Sequence, residues 1–216
     1  MAMTRRRWLA HCSAALAFAV AAAAMPAFAA APRTVLIVGD SLSAEYGLVR
    51  GTGWVALLEQ RIAREKIAAS VVNASISGDT TAGGLARLPS LLRERKPGLV
   101  VIELGANDAL RGLPIETTRA NLLAMTRLAK DAGAKVLIVG MQLPPNYGRA
   151  YGDRFAAIFA DVARSEGAAL VPFMLKGVAD GPQAESMFQA DRIHPLASAH
   201  PVILANVWPV LAPLLK

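Results

Sequence analysis

Short runs of apolar, largely β-branched residues alternate along this chain with stretches that have the spacing of helices. The apolar runs lie at 35–38, 71–72, 99–104, 136–139 and 169–171. Continuous apolar runs of this length are typical of strands that are buried on both faces. The helical patterns lie at 54–65, 80–95, 115–132, 151–166 and about 197–215. Repeated β-α units of this kind predict one three-layer α/β/α domain with a parallel five-stranded sheet.

Residues 1–29 have the features of an export signal. Arginines at positions 5–7 precede an uncharged, alanine-rich stretch, and Ala27-Phe28-Ala29 has the small-x-small pattern of a signal peptidase site. We expect a cleaved signal peptide over 1–29, a mature domain over 30–216, and a periplasmic or secreted protein. The arginines resemble a twin-arginine signal, and the Sec route is an equal alternative. An uncleaved membrane anchor is disfavoured, because alanine is a weak membrane-spanning residue.

The composition of the mature chain argues against several kinds of partner and site. The formal net charge of +7 falls to +4 without residues 1–29, because three of the 23 basic residues and none of the 16 acidic ones lie there. The remaining positive charge is mild and unclustered, so no nucleic-acid partner is expected. Cys12, the single cysteine, is removed with the signal. We therefore expect no disulfide, no thiol nucleophile and no cysteine-based metal site.

A serine directly after the first predicted strand is the first candidate for chemistry. Ser41 belongs to the sequence Gly-Asp-Ser-Leu-Ser at 39–43, and ligands in parallel α/β sheets bind beyond the carboxyl ends of the strands. We expect Ser41 on a turn that opens a helix, where the helix amides could also face a developing oxyanion. The alternative is that Asp40, Ser41 or Ser43 merely caps that helix.

Asp191 and His194 are the second candidate pair. A serine hydroxyl is a poor nucleophile unless a base accepts its proton, and the base needs a third group to fix its tautomer. His194 has Asp191 three residues before it, whereas His200, the other histidine of the mature chain, has no carboxylate at that spacing. An Asp-x-x-His pair can also bind a metal, but no second ligand cluster completes such a site. The pattern favours a serine hydrolase that needs no metal or cofactor.

Two further residues that follow strands are candidate oxyanion donors. Gly78 has no Cβ to keep a substrate carbonyl from its backbone N–H, although an ordinary turn glycine is the simpler explanation when it is considered alone. Asn107 carries a side-chain NH2 group that can donate to an oxyanion. Asp108 is acceptor-only at neutral pH, so we expect it to cap or brace its loop.

These segments resemble, in the same order, the four sequence blocks of the SGNH (GDSL) hydrolase family. The blocks are Gly-Asp-Ser-Leu-Ser at 39–43, the segment around Gly78, Gly-x-Asn-Asp at 105–108 and Asp-x-x-His-Pro at 191–195. The stretches at 72–80, 83–92, 110–112 and 143–148 resemble the periplasmic branch of the family, which has thioesterase, lysophospholipase and arylesterase activity. The resemblance covers nearly all of residues 33–215.

The resemblance implies both a fold and a set of roles. The fold is flavodoxin-like, with strand order 2-1-3-4-5. Ser41 is the nucleophile, His194 the base and Asp191 its orienting carboxylate. The Ser41 amide, the Gly78 amide and the Asn107 side chain form the oxyanion hole. The implied substrates are small-molecule esters, thioesters and lysolipids. Independently of the resemblance, we expect no stable membrane insertion after signal cleavage.

Three residues depart from the family pattern. Glu45, Ala106 and Ala109 stand where glycines are frequent, and we expect them to stiffen the loop beside the acyl cleft and to alter substrate preference. The depth of that cleft is expected to depend on the loops at 110–114, 143–147 and 173–175. The apolar run at 202–215 is predicted to be a packed final helix, because it is short and contains prolines.

Alternative functions come from other classes. A carbohydrate O-acetylesterase would use the same machinery on a small acyl group, and a non-catalytic lipid- or acyl-binding protein would use only the cleft. A dinucleotide site at 51–56 is disfavoured, because this glycine-containing segment lies well past the first strand and no ribose-binding acid accompanies it.

Overall fold

Five parallel strands form the centre of the computed structural model, which describes residues 33–216. The predicted signal peptide lies outside the described residues. The sheet has the order β2-β1-β3-β4-β5, and all four neighbouring pairs are parallel. The strands are β1 (Arg33–Gly39), β2 (Ala69–Asn73), β3 (Leu99–Glu103), β4 (Lys135–Val139) and β5 (Ala169–Val171). The predicted strands and their 2-1-3-4-5 order are confirmed.

Helices cover both faces of this sheet. They are α1 (Trp54–Arg64), α2 (Thr81–Arg95), α3 (Ala106–Leu110), α4 (Ile115–Asp131), α5 (Arg149–Glu166) and α6 (His200–Leu211). Helices α1 and α6 pack against each other on one face, and α4 packs between α2 and α5 on the other. The three-layer prediction is therefore confirmed. Only α3 was missed by sequence reasoning, because five residues are too few to show a helical period.

The burial of the strands follows the apolar runs in the sequence. In the interior strand β1, residues Val35, Leu36, Ile37 and Val38 have no exposed surface. Strands β2 and β5 form the edges of the sheet and are only partly buried. Strands enclosed between two helical layers must be apolar on both faces, which is why the runs are continuous rather than alternating.

The C-terminal segment is a packed helix, as predicted. Short 3-10 turns at Ala197–Ala199 and Ala212–Leu215 flank α6. By length and composition alone, the stretch from Ala197 to Leu215 could cross a membrane. However, α6 buries one face against α1 and β5, through His200, Ile203, Leu204, Val207 and Leu211. The apolar character of this stretch is explained by its place in the core.

A buried polar network joins the carboxyl ends of β1 and β3 to the first turn of α1. Glu103, at the end of β3, accepts hydrogen bonds from Ser43 Oγ at 2.6 Å and from the Asp40 N–H at 3.3 Å. Ser43 Oγ in turn accepts from Trp54 Nε1 at 3.1 Å. A Cβ on Gly39 would lie 2.8 Å from Glu103 Oε2. The glycine is therefore required for this carboxylate to approach the loop.

Burial shifts the acidity of the two carboxyl groups in this network. It raises the pKa of Glu103 well above the ordinary value, and the nearby Asp40 raises it further. Burial also raises the pKa of Asp40 from 3.8 to about 6. The fold favours the protonated forms of both groups. Their contribution to stability is therefore fully present at a pH below their pKa values in the unfolded chain, and it is lost as the pH rises through their higher pKa values in the folded protein.

We therefore expect Glu103→Gln to flatten the dependence of stability on pH. The amide oxygen can still accept from Ser43, but glutamine cannot acquire the buried negative charge that destabilises the wild type as the pH rises. The thermal midpoint of the variant should fall less than that of the wild type between pH 5 and pH 8. The exposed Glu59→Gln variant on α1 is the control and should follow the wild type. Parallel curves for Glu103→Gln and the wild type would contradict the assigned burial effect.

Candidate active site

Ser41 lies in the loop that follows β1, at the carboxyl edge of the sheet. The prediction that it opens a helix is wrong: residues 41–47 form a series of turns, and α1 begins only at Trp54. The Asp40 carboxylate closes the first turn by accepting from the Leu42 N–H at 3.0 Å. Glu45 then adopts a left-handed conformation with φ of 59°, which interrupts any helical continuation. Asp40 thus makes the capping contact, so the Ser41 hydroxyl is not used to cap this turn.

The Ser41 hydroxyl, the His194 ring and the Asp191 carboxylate form one hydrogen-bonded chain. Ser41 Oγ lies 2.9 Å from His194 Nε2. His194 Nδ1 lies 2.7 Å from Asp191 Oδ2. The structure therefore brings the three sequence-predicted residues together in the order of a Ser-His-Asp triad, across 153 positions of the sequence between Ser41 and His194.

The turn that carries Asp191 fixes both its charge and its orientation. Asp191 Oδ1 accepts from the backbone N–H groups of His194 at 3.0 Å and Ile193 at 2.9 Å. The His194 N–H makes the largest contribution to lowering the pKa of Asp191 to about 2. The carboxylate is therefore ionised and acceptor-only at neutral pH, so His194 carries its proton on Nδ1. Nε2 is then left to accept from Ser41.

Tyr46 supports the His194 ring from the side and was not identified from the sequence. The two ring centroids are 4.3 Å apart, with a tilt of 38°. Gln189 Nε2 ties the two loops together, because it donates to the Tyr46 carbonyl at 3.0 Å and to the Pro195 carbonyl at 3.2 Å. These contacts restrict the imidazole to the orientation that faces Ser41.

Asn107 lies in the first turn of α3, beside the loop that carries Ser41. Its Nδ2 donates to Asp40 Oδ2 at 3.1 Å, so one amide hydrogen is held by Asp40 and the second remains available. Asn107, Ser41 and His194 line the same cavity. Asp108 braces the loop, as expected from the sequence: it accepts from the Thr81 N–H at 2.9 Å and from Thr118 Oγ1 at 3.3 Å.

Gly78 lies in a tight turn that follows β2. The turn is closed by the Asp79 N–H, which donates to the Ile76 carbonyl at 3.0 Å, and Gly78 has a φ of +79°. A residue with a Cβ is strained at this angle, so the turn itself requires glycine. Gly78 is not among the residues that line the cavity. Neither its N–H nor that of Ser41 donates a hydrogen bond within residues 33–216, so both remain available to a ligand.

A largely apolar cavity of about 550 Å³ opens beside Ser41. The three loops expected to set its depth all contribute to its wall. Its apolar lining includes Ala106, Leu110, Met141, Leu143, Pro144, Pro145, Phe173, Leu175, Ala179, Phe188 and Ile193. The acidic residues and the arginine among its lining are Asp40, Asp180, Glu185 and Arg192. Such a cavity suits an apolar chain whose polar end lies at the triad.

The three departures from the family pattern have different consequences. Glu45 compensates for its left-handed backbone by accepting from the N–H groups of Gly53 at 2.7 Å and Gly51 at 3.0 Å. These contacts use the amides that a dinucleotide site at 51–56 would need. Ala106 lines the cavity, whereas Ala109 is buried and does not. Only Ala106 is therefore placed to affect substrate preference directly.

Within residues 33–216, no group of three or more histidine, cysteine or acidic side chains is placed to hold a metal ion. The Asp191 and His194 side chains are instead bonded to each other and to Ser41. The geometry can therefore supply a nucleophile, a base and hydrogen-bond donors from the chain itself.

Comparison with known proteins places this site in a family. Residues 37–201 match the GDSL-like lipase/acylhydrolase family. Esterase TesA of Pseudomonas aeruginosa is 56% identical over 186 residues, which are 86% of this chain and 91% of that protein. Thioesterase 1/protease 1/lysophospholipase L1 of Escherichia coli K12 is 43% identical over 188 residues, with 87% and 88% covered.

A solved structure has the same fold. The crystal structure of TesA superimposes with a TM-score of 0.81 and 55% sequence identity, and the match covers 84% of this chain and 99% of that one. The match of the family to most of the chain agrees with the strand order and the triad geometry described above. The chain belongs to the GDSL-like lipase/acylhydrolase family.

Proposed function

We propose that this protein is a serine esterase that hydrolyses carboxylic esters and thioesters through an acyl-enzyme. The observation that carries the proposal is the hydrogen-bonded chain from Ser41 through His194 to Asp191, which lies at the wall of an apolar cavity. Ser41 is the nucleophile, His194 the general base and Asp191 the carboxylate that orients it.

The proposed reaction has two halves. Ser41 Oγ attacks the substrate carbonyl while its proton passes to His194 Nε2, and His194 then donates that proton to the leaving alcohol or thiol. In the second half His194 takes a proton from water, which attacks the acyl-Ser41 ester. His194 then returns that proton to Ser41 Oγ as the acyl–oxygen bond breaks and the acid leaves. Asp191 remains ionised throughout and stabilises the imidazolium that forms in each half.

The proposed oxyanion hole consists of the Ser41 amide, the Gly78 amide and the Asn107 side chain. The two amides have no acceptor within residues 33–216, and one hydrogen of Asn107 Nδ2 is left unused by Asp40. Donors that are already oriented stabilise the negative charge that develops on the carbonyl oxygen without a reorganisation cost during the reaction.

The cavity supports an acyl chain as the part of the substrate that is recognised. Its wall is largely apolar, and its volume of about 550 Å³ exceeds what an acetyl group would fill. This observation favours acyl thioesters, aryl esters and lysolipids over the acetylated carbohydrates of the alternative function. The names of the relatives, an esterase and a thioesterase/lysophospholipase, agree with this choice.

We further propose that residues 1–29 are a cleaved export signal, and that the mature domain over 30–216 acts in the periplasm or outside the cell. The support is the arginine run, the alanine-rich stretch and the small-x-small site in the sequence.

Ser41→Ala should abolish esterase activity and leave the fold intact. The substitution removes the attacking atom from a partly buried loop position and leaves the core unchanged. Hydrolysis of a series of p-nitrophenyl esters of increasing chain length by the mature protein, with the variant beside it, checks this and reports the preferred acyl length. A fluorophosphonate should label the wild type and not the variant. Wild-type turnover by Ser41→Ala would overturn the proposed mechanism, and turnover without labelling would do the same.

The two histidines should respond differently to substitution. His200 is buried, its Nδ1 accepts from the Trp54 N–H at 2.9 Å, and burial lowers its pKa. His200→Ala should therefore lower the free energy of unfolding by about 1–3 kcal/mol, because a buried donor loses its partner. The pH dependence of kcat should not change.

His194→Ala should abolish activity with little change in thermal midpoint. Loss of activity in folded His200→Ala together with an active His194→Ala would reverse the assignment.

Asn107→Ala should lower kcat by about 10²- to 10³-fold with little change in KM, because the donor acts mainly on the transition state. Asn107→Asp should be at least as harmful, since it places a carboxylate near both the developing oxyanion and Asp40. Steady-state kinetics and thermal midpoints of both variants separate this role from a structural one. A large fall in thermal midpoint, with kcat preserved at low temperature, would show that Asn107 serves only to hold the loop.

A further inference from the structure

Two arginines donate hydrogen bonds to the turn that carries Gly78 and to the segments beside it. This turn has a single internal backbone hydrogen bond, from the Asp79 N–H to the Ile76 carbonyl. It lies beyond the last strand pairing of β2. Its backbone bond to the sheet runs from the Ile76 N–H to the Gly39 carbonyl of β1 at 3.0 Å, and its remaining support comes from side chains.

Arg87 lies on α2 and contacts the residue that follows Gly78. Its Nε donates to Asp79 Oδ2 at 2.9 Å, and its Nη1 donates to the Ala74 carbonyl. Its Nη2 lies 3.4 Å from the Gly39 carbonyl, which also accepts from the Ile76 N–H at 3.0 Å. One partly buried guanidinium thus connects the end of β1, the segment directly after β2 and the residue that follows Gly78.

Arg111 holds the same turn from the side of Asn107. Its Nη2 donates to the Gly78 carbonyl at 2.7 Å. Its own backbone N–H donates to the Asn107 carbonyl at 3.1 Å. Arg111 therefore links the two segments that carry the Gly78 and Asn107 donors.

We propose that Arg87 and Arg111 are positioning residues, which hold the Gly78 amide in register with Ser41 and Asn107. This inference rests on the proposed function and deepens it. Neither arginine lines the cavity, so both act through the backbone they hold rather than by touching the substrate. A planar guanidinium can bond several acceptors in a fixed arrangement, which a lysine ammonium on a flexible stem cannot reproduce.

The expected effect is on the transition state. Displacement of a catalytic group by about 1 Å can cost on the order of 10²-fold in rate, whereas the ground-state carbonyl depends little on the hole. Release of the Gly78 turn should therefore lower kcat and leave KM nearly unchanged. A residue that only stabilised the fold would instead lower the thermal midpoint and the fraction of active enzyme.

The test uses the mature protein with Arg87→Met, Arg87→Lys, Arg111→Met and Arg111→Ala. Arg127→Met is the matched control, because Arg127 also bonds a carboxylate, Glu166, but on the exposed surface between α4 and α5. For each variant, kcat, KM, thermal midpoint and the fraction labelled by a fluorophosphonate are measured. Because Arg111 is exposed, Arg111→Ala is also assayed with added millimolar guanidinium.

The proposal requires a fall in kcat per labelled site on the order of 10-fold or more for Arg111→Met and Arg87→Met, with KM within about twofold. Arg87→Lys should recover part of the loss, guanidinium should raise kcat of Arg111→Ala, and Arg127→Met should match the wild type. The positioning proposal is overturned if Arg111→Met has the wild-type kcat per labelled site. It is also overturned if Arg87→Lys and Arg87→Met are both folded and both have the wild-type kcat per labelled site. If Arg87→Met does not fold, Arg111→Met and Arg87→Lys decide the outcome.

Failure of this inference is distinguishable from failure of the proposed function. If the wild type is labelled by the fluorophosphonate and hydrolyses esters while the arginine variants match it, only the positioning role is lost. If the wild type itself is neither labelled nor active, or if Ser41→Ala is as active as the wild type, the serine mechanism fails and the positioning role falls with it.

Discussion

The parallel pairing of β1 with β2 and β3 is the constraint on which the site depends. Because all three strands run the same way, the loops after them leave the sheet at one edge, although they are far apart in sequence. The register sets Gly39 opposite Glu103, which places Ser41 and the first turn of α3 side by side. Hydrogen bonds between backbones thus determine where the proposed nucleophile and the proposed oxyanion donors can meet.

The same edge carries an electrostatic cost. Asp40 and Glu103 are both buried at the loop that carries Ser41, and burial raises the pKa of each. Yet Asp40 closes the turn that contains Ser41 and holds the Asn107 amide, and Glu103 anchors the loop through Ser43. Fixed polar groups around a reacting centre are more useful to catalysis than a relaxed apolar packing would be, even where they reduce stability.

Sequence reasoning succeeded where a residue acts through its own type or its close neighbours. Asp191 and His194 share one turn, so their spacing was sufficient to predict that they interact. The helix predicted at Ser41 was wrong because Glu45, four residues later, has a left-handed backbone that a continuing helix does not allow. The position of Glu103 within the apolar run 99–104 indicates from sequence alone that this acid is buried. Its hydrogen-bond partners could not be predicted in this way.

By itself, the sequence determined the order of strands and helices, the family and the identity of the groups available for chemistry. Periodicity, side-chain chemistry and short motifs are local properties that survive without coordinates. Only the tertiary structure decided that Tyr46 packs on His194, that Arg87 and Arg111 hold the Gly78 turn, and that three separate loops enclose an apolar cavity. Such contacts depend on distances between segments that the pairing of the strands brings together, and no spacing along the chain encodes them.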